Sequence, residues 1–169
     1  MNHNNAPKIL KEVFDIMPDA WLFGATLLGA IREGKIIAWD KDIDLGIRSD
    51  QVDLKTIERF TNAGFNVSGI YFLDLPEMVP YIGKEALGRI GKFILRKDGV
   101  KIEICSFTPG KHLERDGCEQ SILYYASGTP RFFVMPEAYA YPLRKIRFYD
   151  FDVNVAEKAE DQLAFVYGG

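Results

Sequence analysis

Asp42 and Asp44 stand two residues apart in the run Trp39-Asp40-Lys41-Asp42-Ile43-Asp44-Leu45. On an extended strand that spacing points both carboxylates the same way, where they repel each other unless a cation relieves them. A hard divalent ion that takes oxygen ligands, Mg²⁺, answers that need. A third acid, Glu103, lies in Lys101-Ile102-Glu103-Ile104-Cys105, where alternation sets it opposite its apolar neighbours. Three such carboxylates around metal suit in-line displacement at phosphorus, because metal stabilises the attacking and leaving oxygens while a carboxylate takes the acceptor's proton. Asp42, Asp44 and Glu103 are therefore the candidate metal ligands and catalytic residues.

A nucleotide site is expected beside them. Gly24-Ala25-Thr26 precedes a helical run and offers backbone N–H groups and a hydroxyl at a helix N-terminus, an arrangement that receives phosphate. Arg32, Lys35 and Lys41 lie close in sequence and carry charge suited to the phosphates of a transition state. Each residue alone has a plainer reading: the Asp pair as a solvated strand face, Glu103 as an exposed strand residue, Arg32 as a surface charge. The glycine turn and the third acid together favour the metal site over these. Asp40 reads as a turn residue, Trp39 as a packing anchor, and His112 as a surface residue in a polar loop.

The elements that must position these groups alternate between helical and extended patterns. Ile9, Leu10, Val13, Phe14 and Met17 recur at helical spacing, with Asn5 as expected cap, Pro7 in the first turn and Pro18 beyond the end. Ala20 to Phe23 reads as a short strand, Thr26 to Arg32 as a helix broken at Gly34, and Ile43 to Ile47 as a strand with Ile43, Leu45 and Ile47 on one face. Ser49 and Asp50 are expected to open a helix through Phe60 that Gly64 closes, followed by an extended run from Phe65 to Leu73. Leu75 to Gly88 is expected to be a loop with one helical turn. Asp98-Gly99 predicts a tight hairpin between Phe93–Arg96 and Val100–Phe107. A polar stretch from Lys111 to Gly128 is expected to be irregular, before a second hairpin turning at Tyr149-Asp150 and a closing helix from Glu157 to Tyr167 with Leu163 and Val166 inward.

The 169 residues are 47% hydrophobic, enough for the core of one domain, and no repeat or linker divides them. A net charge of -3 with mixed signs argues against a nucleic-acid partner. Two cysteines, Cys105 and Cys118, and two histidines are too few for a zinc site and read as reduced thiols and isolated imidazoles. Without an apolar run of about 18 residues or a signal peptide, a soluble cytoplasmic protein is expected.

Phe23-Gly24-Ala25-Thr26-Leu27-Leu28-Gly29-Ala30-Ile31-Arg32, then Ile37-Ala38-Trp39-Asp40-Lys41-Asp42-Ile43-Asp44, resembles the LicD and fukutin-related phosphotransferase family. The likeness returns at Pro142-Leu143, Ile146 to Val153, and Leu163 to Gly168. It implies a nucleotidyltransferase-like fold of mixed α/β class, a small mixed β-sheet flanked by helices. It implies Mg²⁺ or Mn²⁺ on Asp42, Asp44 and a third acid, and transfer of phosphocholine or an alditol phosphate from a CDP-linked donor to a glycan hydroxyl. Gly24 and Thr26 match the family's glycine turn and Arg32 its following arginine. Ala25, Ala38, Lys41 and a Glu as third acid depart from the usual pattern, and relatives commonly continue past Tyr167-Gly168, so part of an acceptor site is expected to be missing or to be supplied by another chain. The alternatives are nucleotide transfer from a nucleoside triphosphate with pyrophosphate release, or a non-catalytic domain that binds a nucleotide or partner.

Overall fold

A computed structural model describes residues 1–74, 76–113, 117, 119–128 and 131–168. The first helix, α1 (Ala6–Ile16), buries Ala6, Ile9, Leu10 and Val13, the face its spacing dictates. Asn5 does not cap it. Its backbone is already helical, at φ -87° and ψ -17°, whereas a capping side chain needs an extended backbone to reach back to the first N–H groups. The Asn5 side chain instead donates to the Asp98 carbonyl at 3.0 Å.

Next come β1 (Trp21–Leu22), α2 (Gly24–Glu33) and β2 (Ile43–Arg48). Gly34 closes α2 in the left-handed region at φ 67°. The following helix starts later than Ser49 and Asp50 suggest. Ser49–Gln51 is one 3-10 turn, Val52 returns to extended backbone, and α3 (Leu54–Asn62) begins from Asp53. Asp53 Oδ1 accepts from the Thr56 N–H at 2.9 Å while Thr56 Oγ1 accepts from the Asp53 N–H at 3.2 Å, a reciprocal cap that Asp50 lacks. The later start leaves Leu54 exposed while Phe60 remains fully buried.

The chain continues through β3 (Asn66–Phe72) and the described part of the expected loop, which holds two 3-10 turns around a short α4 (Val79–Ile82). Leu75 lies outside the described residues. The hairpin of β4 (Ile90–Lys97) and β5 (Val100–Leu113) turns as expected: Lys97 pairs with Val100, and Asp98 and Gly99 take φ 49° and 78°.

The polar stretch from Lys111 to Gly128 is not irregular. β5 runs on to Leu113, and β6 (Glu119–Gly128) and β7 (Arg131–Pro136) pair beside it, which places His112 on a strand rather than in a loop. Residues 114–116, 118, 129 and 130 of this region lie outside the described residues. Here β5 has passed the end of β2, and an antiparallel ribbon beyond the core accepts polar side chains without the clean apolar alternation of a covered strand. The second hairpin, β8 (Leu143–Phe148) and β9 (Phe151–Ala156), and α5 (Ala159–Tyr167) follow as read. In α5, Ala159 and Gln162 are buried, with Leu163 and Val166 half-buried beside them.

The large sheet is mixed, ordered β1-β2-β5-β4-β3, with β6 and β7 extending from the far half of β5. Only β2 and β5 run parallel in it; β8 and β9 form a separate pair. Ile43, Leu45 and Ile47 of β2, Ile102 and Ile104 of β5, and Phe93 and Leu95 of β4 fill one core with the apolar faces of α1 and α3. The opposite face carries Asp42, Asp44 and Glu103 at one end. Farther along it lies a second cluster of Trp21, Phe23, Cys105, Phe107, Met135 and Ala140. The Trp21 ring lies flat on this face because Gly46 has no side chain: a Cβ there would sit 2.4 Å from the indole.

Candidate active site

Parallel pairing sets Asp44 of β2 directly beside Glu103 of β5. The same strand period that buries Ile43, Leu45, Ile102 and Ile104 turns these carboxylates to the opposite face, with Asp42 at the head of β2. Two contacts from the start of α2 fix Asp44. Thr26, fully buried, accepts the Asp44 N–H on Oγ1 at 2.9 Å, and the Phe23 N–H donates to the Asp44 carbonyl at 3.0 Å. Gly24, at φ 56°, lies so close that a Cβ would sit 2.9 Å from Asp44 Oδ2. The glycine turn thus brings the N-terminus of α2 against the acid on β2.

The three acids are not electrostatically alike. Burial, then the neighbouring charges of Asp42, Glu103 and Asp40, raise the Asp44 carboxyl from 3.8 to about 7. Glu103 is also penalised by burial, yet hydrogen bonds from Lys101 and Lys92 leave it lowered. Lys92 Nζ lies 2.7 Å from Glu103 Oε2, and Lys101 Nζ bridges Glu103 Oε1 and Asp42 Oδ2, the latter at 3.0 Å. Asp40 Oδ2 is buried without a hydrogen-bond partner.

These features fit a cation. An acid raised to about 7, crowded by three others and backed by an orphaned carboxylate oxygen, lacks positive charge. Lys101 supplies some of it. Among the described residues no three His, Cys, Asp or Glu side chains are gathered as a ready cage, and the two lysines bond both oxygens of the Glu103 carboxylate.

The other expected site residues fall in different places. Lys41 is exposed beside Asp42. Arg32 is exposed in the last turn of α2, about 12 Å along the helix from Gly24, and Lys35 lies beyond it. The structure thus brings Gly24 and Thr26 to the acids but leaves Arg32 at the opposite end of its helix. Trp39 is no packing anchor: it is 75% exposed, because the turn from Ile37 to Asp40 sends Ile36 and Ile37 inward instead. Cys105 is a buried free thiol, pushed up to about 12 by burial; Cys118 lies outside the described residues.

Lys92, Lys101 and Tyr167 are the residues that motif reading passed over. Lys101 shares a strand face with Glu103, two positions away, and counting back from the Asp98-Gly99 turn pairs Lys92 with Cys105, one step diagonal to Glu103. The hairpin register was therefore a usable signal for both. Tyr167 closes α5 near the acids: burial raises its hydroxyl, and Asp44 and Asp40 raise it further. Nothing local in sequence marks that approach.

A mixed sheet with carboxylates on adjacent parallel strands, facing a glycine-initiated helix, is the plan of a nucleotidyltransferase-type domain. Residues 18–157 match the family described as LicD/FKTN/FKRP, nucleotidyltransferase domain, and the chain belongs to that family. Over 32 residues it is 59% identical to proteins named ribitol 5-phosphate transferase FKRP from Mus musculus and from Homo sapiens. That match covers 19% of this chain and 6% of each relative, so the alignment reaches only a small part of those proteins. Among the described residues, no helix is long and apolar enough to cross a membrane.

Proposed function

We propose that this chain, as a single domain, is a metal-dependent transferase that moves a substituted phosphate from a CDP-activated donor to a saccharide hydroxyl. Family membership and the partial likeness to ribitol 5-phosphate transferases support the class of reaction. The observation that carries the site is Asp44, raised to about 7 among Asp42, Glu103 and Asp40 against the Gly24 turn. In this reading Asp42 and Asp44 would hold Mg²⁺ or Mn²⁺, with Glu103 as third ligand where the ion displaces one lysine ammonium from its carboxylate. The ion would supply Lewis-acid charge to the oxygens around phosphorus.

The chain's own groups divide the remaining work. The N–H groups at the start of α2 bind donor phosphate, Gly24 allows close approach, and Thr26 fixes the strand that carries Asp44. Lys41 adds charge near the donor, and Arg32 adds it from farther off. Lys92 and Lys101 hold Glu103 and Asp42 in place and balance charge as it shifts. The acceptor oxygen bonds to the donor's distal phosphorus, the bond from that phosphorus to the bridging oxygen breaks, and CMP leaves. The hydroxyl proton passes to a carboxylate.

Product analysis tests the reading. The protein, with Mg²⁺ or Mn²⁺, is incubated with CDP-choline, CDP-ribitol or CDP-glycerol and a saccharide panel. Metal-dependent CMP release coupled to phosphorylation of a saccharide is expected. Pyrophosphate released from a nucleoside triphosphate, without CMP, would replace this function with nucleotide transfer.

A further inference from the structure

Across Lys101 from the acid cluster, at the turn of the β4–β5 hairpin, lies a cavity of about 380 Å³. Lys41, Arg96, Lys97 and Lys101 line it against one carboxylate, Asp98. In a chain of net charge -3 this is a local reversal of sign. Two of the cations have acidic partners outside the cavity: Lys97 pairs with Glu12, and Lys101 with Asp42 and Glu103. Lys41 and Arg96 pair with no carboxylate among the described residues; Arg96 only donates to Ser68 Oγ at 3.0 Å.

The strand register holds these like charges together. Arg96 stands directly opposite Lys101; Asp42 and Glu103 offset the lysine, while no carboxylate among the described residues offsets the guanidinium. The walls are fixed as well. The Asn2 N–H donates to the Gly99 carbonyl at 2.8 Å, Asn5 bonds the Asp98 carbonyl, and the His3 ring bonds the Asp40 carbonyl at 2.9 Å just before Lys41. A preformed concavity with a guanidinium fork, an unpaired ammonium and a second ammonium behind them suits a tetrahedral oxyanion.

We infer that this cavity is a phosphate-binding site, formed by Lys41 and Arg96 with Lys101 behind them and distinct from the N-terminus of α2. The ligand is a phosphate group, carried either by the nucleotide donor or by a separate phosphorylated molecule. The inference stands on the hairpin's geometry and does not depend on the transferase reading.

Titration of inorganic phosphate, CMP and glycerol 3-phosphate into the ¹⁵N-labelled full chain at low ionic strength, with EDTA present, tests it by amide shifts. Inorganic phosphate is expected to move the amides of Lys41 and residues 96–101 saturably, with affinity about tenfold weaker in K41Q/R96Q and falling as salt is added. Each single variant is expected to weaken binding too, which keeps the test intact should the double variant fold poorly. Absence of saturable shifts there, or affinity unchanged in the variants, overturns the site. CMP moving these amides together with Gly24 assigns the donor as source; glycerol 3-phosphate moving them while CMP moves only Gly24 and its neighbours assigns a separate ligand. No metal or turnover enters the measurement, so its failure leaves the transferase proposal standing, and failure of CMP release leaves this site standing.

Discussion

Where β2 ends beside the middle of β5, the buried hydroxyls of Ser49, Ser106 and Thr108 all have partners. Thr108 Oγ1 bonds Ser49 Oγ at 2.9 Å, Arg89 donates to the same hydroxyl at 3.3 Å, and Ser106 Oγ donates to the Ile90 carbonyl at 2.6 Å. Where the same strands begin, Asp44 is raised to about 7, Asp40 Oδ2 has no partner, and Glu103 needs two lysines. One pair of strands thus carries a quiet end and a charged end. Unpartnered buried atoms occur at the far end too, at Trp21 Nε1 and Tyr141 Oη, so what sets the acid end apart is its crowding of carboxylates, a pattern that functional sites share.

The largest expected effect tests whether the acid end depends on close approach. Gly24→Ala places a methyl against Asp44 Oδ2 in a backbone conformation that disfavours any side chain. Transfer, read as CMP release, is expected to fall on the order of 10²-fold through displacement of Asp44. An unchanged rate would show that the glycine turn does not position the acid.

Asp44→Asn tests the electrostatic half of the contrast. The folded protein keeps a proton that the unfolded chain releases near 3.8, so the penalty for a charged Asp44 is absent below about pH 4 and grows as pH rises toward about 7. In EDTA at pH 8 the variant is therefore expected to be more stable than wild type by up to about 4 kcal/mol, with the difference vanishing near pH 4. Denaturant melts at both pH values measure it, and a difference independent of pH would contradict the assignment.

Thr26→Ala removes the acceptor of a buried N–H and is expected to cost about 1–3 kcal/mol, with impaired transfer. At the quiet end, Thr108→Val should cost about 1 kcal/mol and leave CMP release unchanged. Comparing the melting temperatures and rates of these two variants sharpens the contrast, because only the first touches the strand segment that bears Asp44.

The acid end was legible in the sequence because it follows simple periods. Alternation on β2 and β5 sets Asp44 and Glu103 against the core isoleucines, and Asp98-Gly99 fixes the hairpin between β4 and β5. The β5–β6–β7 ribbon was not legible, since its pairing beyond the end of β2 leaves no apolar alternation to read. The start of α3 was misplaced because Ser49 and Asp50 have the right types, while only Asp53 has Thr56 at the reciprocal position. Lys92 could be reached only by counting register back from the Asp98-Gly99 turn, while Tyr167 reaches the acids through helix docking, a contact that no local pattern encodes.

The proposed transfer requires Asp42 and Asp44 to bind a divalent cation together with a CDP-linked donor. Thermal-shift measurements with Mg²⁺ or Mn²⁺ and CDP-choline, CDP-ribitol, CDP-glycerol, CTP or ATP, on wild type and on the Asp42→Ala/Asp44→Ala double variant, test it most directly. A metal-dependent rise in Tm with one CDP-linked compound, lost in the double variant, is the result expected, because a ligand bound only by the folded state raises its melting temperature. A shift that survives in the double variant, or no shift with any metal and nucleotide, would contradict it.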